Sequence, residues 1–88
     1  MIMFYVYILR SKKDQDLYIG STNDLRKRFQ DHNAGLVFST RRRTPFELIY
    51  YEAYKEEKDA RDREHNLKLR ANALTQLKRR LKHSLKAH

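Results

Sequence analysis

The run Met3 to Leu9 (MFYVYIL) consists of β-branched, aromatic and long aliphatic residues without a single breaker. Such a run favours a strand. Its side chains alternate between two faces, with Tyr5, Tyr7 and Leu9 on one and Phe4, Val6 and Ile8 on the other. A strand apolar on both faces must lie between other layers, so helices are expected to pack on the sheet that forms around it.

The following segments supply those layers. Ser11 to Asp16 is polar with turn chemistry, and Leu17 to Ser21 returns as the second strand of a hairpin. Thr22 or Asn23 is positioned to cap a helix from about Asp24 to His32, with Leu25 and Phe29 toward the core and Gly35 as a left-handed stop. Leu36 to Pro45 has no clean period and is expected to be a loop; Phe46 to Tyr54 is a third strand whose alternation is only partial. From Glu56 to about Leu69 acids lead and Lys68 and Arg70 close, as the helix dipole prefers. A last helix, about 72–86 and capped by Asn72, places Leu74, Leu77, Leu81 and Leu85 on one side with Lys78, Arg79, Arg80 and Lys82 around them. Its end is expected to fray.

At 88 residues the chain supports one domain, 1–88, with a core over about 3–70 and the basic helix appended. No cysteine is present, which excludes a disulfide framework, a thiolate zinc site and a cysteine nucleophile and fits a cytoplasmic location. The apolar run is far shorter than the roughly 20 residues that span a bilayer, so no membrane partner is expected. The 20 Lys and Arg against 11 Asp and Glu give a net charge of +9, a field that draws polyanions, with nucleic acid the commonest of them. Residues 65–88 hold no acid, and Arg41, Arg42 and Arg43 form a triplet in the loop. That clustering favours a binding face over general solubility.

Few residues are placed for chemistry. Glu64 shares a helix face with Ala60 and Leu67, and an inward carboxylate requires either a bound cation or an ion pair, with Arg28 or Arg63 as partners. Arg28 and His32 lie one turn apart and can address one phosphate, or form a solvated stripe with Lys27. Tyr5, Tyr7 and Tyr18 lie on adjacent strands, where a phenol becomes a proton acceptor only if a nearby cation lowers its pKa. His83 and His88 are expected to face solvent.

Taken in order, Tyr5-Val6-Tyr7, Leu17 to Thr22, Asp24 to Gly35, Thr44-Pro45 with Leu48 to Tyr50, and Ala60 to Lys68 resemble the GIY-YIG nuclease superfamily over residues 3–81. The resemblance implies an α+β fold, a three-stranded antiparallel sheet flanked by helices in the order β-β-α-β-α-α, in agreement with the elements above. It also implies DNA phosphodiester hydrolysis with one divalent metal, magnesium or manganese. By position Tyr7 and Tyr18 are the motif tyrosines, one or other of which activates or positions water, Arg28 serves the scissile phosphate, His32 is the residue one turn later and Glu64 is the metal ligand; an imidazole's ordinary pKa of about 6.5 makes His32 an alternative proton carrier. Lys27, Lys68, Arg41, Arg42, Arg43, Lys78, Arg79 and Arg80 are the candidates for holding the DNA backbone, single-stranded and branched forms included. Two positions depart from the pattern: Tyr5 stands where the name-giving motif has glycine, and Ser21 where some relatives have a phosphate-contacting lysine. A non-catalytic nucleic-acid-binding module of the same fold is the competing reading.

Overall fold

The computed structural model describes residues 2–86, so the expectation for His88 lies outside the described residues. Strands β1 (Phe4–Ser11), β2 (Leu17–Thr22) and β3 (Phe46–Tyr54) form an antiparallel sheet of order β2-β1-β3. Helix α1 (Leu25–Asn33) follows the hairpin, and α2 (Glu57–Leu69) and α3 (Ala71–Arg80) follow β3. The apolar run thus becomes the central strand, covered on both faces. Val6 and Ile8, joined by Ile19 of β2, pack against Ala60 and Leu67 of α2 and Leu77 and Leu81 from the end of the chain. Tyr7, Leu9 and Phe46 form a second cluster on the opposite face, closed by Leu25 and Phe29 of α1.

The partial alternation of β3 has a local cause. Ile8 pairs with Tyr50 but Leu9 pairs with Leu48, leaving Ile49 as an extra residue in a bulge. The slip lets Ile49 and Tyr50 both pack toward α2 and α3. Further along, Glu52 accepts hydrogen bonds from the hydroxyls of Tyr50 (2.7 Å) and Tyr54 (2.5 Å) and from Nε of Arg63 (3.0 Å), which ties α2 to β3. Burial disfavours the Glu52 carboxylate, yet these bonds outweigh it and hold the carboxyl below its ordinary range.

Three helix ends differ from expectation. The cap of α1 is Asp24, whose Oδ1 accepts from the Lys27 N–H at 3.1 Å. Thr22 is the last residue of β2 and its hydroxyl instead accepts the Asp24 N–H at 3.1 Å. Gly35 does end the helix, at φ 75°, with Gly35 N–H donating to His32 (3.2 Å) and Leu36 N–H to Asp31 (2.9 Å) in a Schellman arrangement. Asn72 is not a cap: extended Arg70 closes α2 and opens α3, which starts at Ala71. Finally, α3 stops at Arg80 rather than running to 86, and its end is tethered instead of frayed. Arg10, 8% exposed, donates from Nη1 to the Leu85 carbonyl (2.6 Å) and from Nη2 to the Lys86 carbonyl (3.2 Å), while Nε and Nη2 bind Oε1 of Glu47. Leu81 and Leu85 are thereby seated in the same cluster as Leu74 and Leu77.

Arg10→Ala is expected to lower the unfolding free energy by about 2–4 kcal/mol, since it strands Glu47 and two carbonyls. Chemical denaturation measures this, and amide exchange should rise first over residues 81–86.

Candidate active site

Tyr7 is on the central strand, facing α1, and its direct partner on the edge strand β2 is Gly20. A Cβ at Gly20 would lie 2.5 Å from Oη and 2.6 Å from Cζ of Tyr7, so the phenol crosses the edge strand over a residue that must lack a side chain. Tyr18 stands beside it on β2 with ring centroids 6.4 Å apart. From the last turn of α1, fully buried His32 reaches Tyr7 Oη with Nε2 at 2.9 Å, and its Nδ1 meets Oγ1 of Thr40 at 2.7 Å. The imidazole is wedged edge-on between Tyr18 (5.0 Å) and Phe46 (5.9 Å). One turn earlier on α1, the guanidinium of Arg28 adjoins the Tyr7 phenol.

Glu64 approaches from the other side of the sheet. Its Oε1 accepts from the Ser21 hydroxyl at 2.7 Å and its Oε2 pairs with Lys68 at 2.8 Å. Ser21 follows Gly20 on β2, so the residues of α1 and of α2 meet around this edge strand. Two adjoining clefts mark the meeting. One, of about 310 Å³, is lined by Ser21, Asn23, Arg28 and Arg61 among others; the second, about 320 Å³, by Ser21, Arg61, Glu64, His65 and Lys68.

The electrostatics separate two kinds of group. Burial pushes the Tyr7 phenol up to about 12, and the Arg28 guanidinium beside it only partly offsets that. Arg28 is thus a cation that lowers this phenol, as a proton acceptor requires, but burial outweighs it and the net shift is upward. Burial first, and the Arg28 charge second, bring His32 down to about 4. Both groups are neutral at pH 7. A neutral imidazole carries one N–H, so the buried chain runs either from Tyr7 through His32 to Thr40 or the reverse way. In the first direction the Tyr7 oxygen keeps lone pairs for a water; in the second its O–H is free to donate.

The structure brings Tyr7, Tyr18, Arg28, His32 and Glu64 to one edge of the sheet. Glu64 pairs with Lys68 rather than Arg28 or Arg63; Arg63 is held by Glu52. The basic residues divide. Arg43 is bound bidentately by Asp14 (2.7 and 3.2 Å) and lies over Phe46, whereas Arg42 is exposed and Arg41 lies over exposed Phe38 at 4.7 Å. Lys27 pairs with Asp31 at 3.1 Å. Lys78 lines a different cavity, with Arg43 and Leu74, and Arg79 and Arg80 are exposed on α3, as is His83 beyond it. Sequence reasoning missed Thr40, which lies in an aperiodic loop without any local signal, and it missed that Ser21 orients Glu64. Gly20 was legible in principle, because the hairpin register sets it opposite Tyr7.

Comparison with known proteins gives a consistent result. A model of the GIY-YIG catalytic domain matches residues 3–82. A UPF0213 protein of Clostridium perfringens is 45% identical over 67 residues, 75% of this chain and 71% of that one. A UPF0213 protein of Haloquadratum walsbyi is 42% identical over 65 residues, 73% and 72% of the two chains. The solution NMR structure of a UPF0213 protein from Bacillus halodurans superimposes with a TM-score of 0.54 at 35% identity, covering 85% of this chain and 81% of that one.

Gly20→Ala is expected to push the Tyr7 ring off its seat and cost about 1–3 kcal/mol; loss of the Tyr7–His32 coupling in the His32 imidazole NMR signals would register it. Because His32 sits near 4 in the folded chain against 6.5 unfolded, the unfolded state alone takes up this proton between those values. Stability should be complete above pH 6.5 and decline by about 3 kcal/mol as pH falls through 4. Denaturation midpoints across that window, compared with His32→Gln, should show the slope in the native chain and a flatter one in the variant.

Proposed function

The chain belongs to the GIY-YIG family of nucleases, and from that premise we propose that it is a DNA endonuclease. It hydrolyses phosphodiester bonds at the β2 edge with one divalent metal, magnesium or manganese. The observation that supports this reading is the convergence of Arg28, the Tyr7–His32–Thr40 chain and Glu64 from opposite faces of the sheet around Gly20 and Ser21.

The donor set suits such a metal. Among the described residues no three His, Cys, Asp or Glu side chains gather into a closed cage. A magnesium ion held by the single Glu64 carboxylate would keep several waters and take further oxygens from the substrate phosphate, the usual arrangement for that ion. Lys68 already pairs with Oε2 of Glu64, a position for which a metal would compete. When bound, the metal supplies Lewis-acid stabilisation of the phosphoryl charge.

The chain's own residues do the rest. Arg28 lines the cleft and supplies the scissile phosphate with a fixed positive charge where negative charge accumulates. Tyr7, donating to His32, offers its oxygen to a water and orients it. Full transfer of the phenol proton to His32 is costly in the resting protein, given values of about 12 and about 4, so the water's proton and the phenol's must move in concert. The reversed chain, with His32 donating to Tyr7, leaves the phenol able to donate to a departing 3′ oxygen. Tyr18 walls the pair on β2 and packs against the imidazole. Lys68, Arg41, Arg42 and the cations of α3 hold the phosphate backbone, which carries no sequence information.

The Ser21–Glu64–Lys68 network favours a second reading, a nucleic-acid-binding module without turnover, because it satisfies the carboxylate without a metal. Labelled single-stranded, duplex and branched DNA with magnesium or manganese against chelator separates the two. The expected result is metal-dependent cleavage that Glu64→Ala abolishes and Arg28→Ala reduces by about 10²–10³-fold. Affinity should persist in both variants and fall steeply with salt. Binding without cleavage of any substrate, unchanged by Glu64→Ala, would establish the module instead.

A further inference from the structure

Tyr5, the residue that replaces a motif glycine, has no part in the hydrolysis described above. It lies on the α1 side of the sheet against Tyr51 of β3, with ring centroids 5.9 Å apart and planes at 66°. Helix α1 covers the neighbouring Tyr7 but leaves this end of the sheet open: Tyr51 is 51% exposed and Leu48 36%. The two tyrosines line a groove of about 460 Å³ with Leu25, Phe29, Asn23 and Arg26. Asn23 also lines the cleft that contains Arg28, so groove and cleft adjoin.

An aromatic wall beside polar side chains, adjoining the cleft that holds Arg28, matches an unpaired nucleotide. The base presents a π-face to the rings and its edge groups to Asn23, Arg26 and Asp24, while its phosphate lies toward Arg28. A base inside a duplex has both faces stacked and cannot make this contact; one in a single strand, flap or junction can. The charge is complementary, since the chain carries +9 and Arg26 stands on the rim. We propose, resting on the reading of the chain as a DNA nuclease, that the Tyr5–Tyr51 face is a stacking subsite for one unpaired nucleobase next to the scissile phosphate. The substrate is therefore DNA that is single-stranded at the cut. The replacement of glycine by Tyr5 is what builds this subsite.

Binding of short single-stranded oligonucleotides and of a matched duplex is measured in chelator, so that the result does not depend on cleavage. Single-strand affinity is expected to fall about tenfold in Tyr51→Leu and in Tyr5→Leu. Tyr51→Phe, which keeps the ring, should restore it, and duplex affinity should be unmoved. An abasic unit walked along the oligonucleotide should find one position that weakens the native chain by a similar factor and adds nothing in Tyr51→Leu. Equal losses on single strand and duplex, no loss at all, or losses indifferent to every abasic position would each overturn the subsite. Circular dichroism and the thermal midpoint verify folding, and half-exposed Tyr51 decides the question alone if Tyr5→Leu fails to fold. The stacking signature without cleavage would remove only the nuclease reading, cleavage without the signature would remove only the subsite, and no DNA binding by the native chain would remove both.

Discussion

Burial of β1 on both faces governs the rest of the molecule. A strand with Val6 and Ile8 on one side and Tyr7 and Leu9 on the other has to be central, and each face then needs its own cover. The chain meets this by sending α1 over one face and α2 with α3 over the other. Functional groups carried by helices on opposite faces can address one ligand only around an edge of the sheet. The edge strand β2 is where α1 and α2 bring theirs together, and Gly20 makes the room: without a Cβ it lets the Tyr7 phenol lie over the strand on the α1 face, opposite the face from which Glu64 reaches Ser21.

Solvent access then sorts the chemistry. Tyr7 and His32 are fully buried, and desolvation moves one up and the other down, further into the neutral forms they already favour at physiological pH. Arg28 and Glu64, by contrast, line two adjoining clefts at the β2 edge. Thr40 completes the buried set by occupying the second imidazole nitrogen, so the His32 tautomer is linked to the loop that also displays Arg41 and Phe38. An exposed basic, aromatic loop and a buried hydrogen-bond chain thus share one short segment.

The basic charge shows the same dependence on three-dimensional context. Arg10, Arg43 and Arg63 count toward +9 in the sequence, yet each guanidinium is held by a carboxylate, respectively Glu47, Asp14 and Glu52. They fasten the chain's end, the hairpin turn and α2 to the sheet. Arg41, Arg42, Arg79 and Arg80 remain exposed. Among the described residues no helix is long and apolar enough to cross a membrane.

The sequence by itself determined the strands, the helices and the family to which they belong, because alternation, helical spacing and turn residues act over a few positions and need no partner. Tyr7, Tyr18, Arg28, His32 and Glu64 were legible as candidates through that resemblance. The caps of α1 and α3 were not, since Thr22 and Asn72 suit a cap as well as Asp24 does until the strand end and the Arg70 junction assign them other work. Tertiary structure alone decided that α3 stops at Arg80, where a buried arginine 70 residues earlier in the chain captures the turns beyond, and that Thr40 belongs to the site. It also shifted Tyr7 up and His32 down. Local sequence records which cations are near in the chain, whereas desolvation depends on everything packed around a group, and at Tyr7 that packing outweighs the Arg28 charge while at His32 it adds to it.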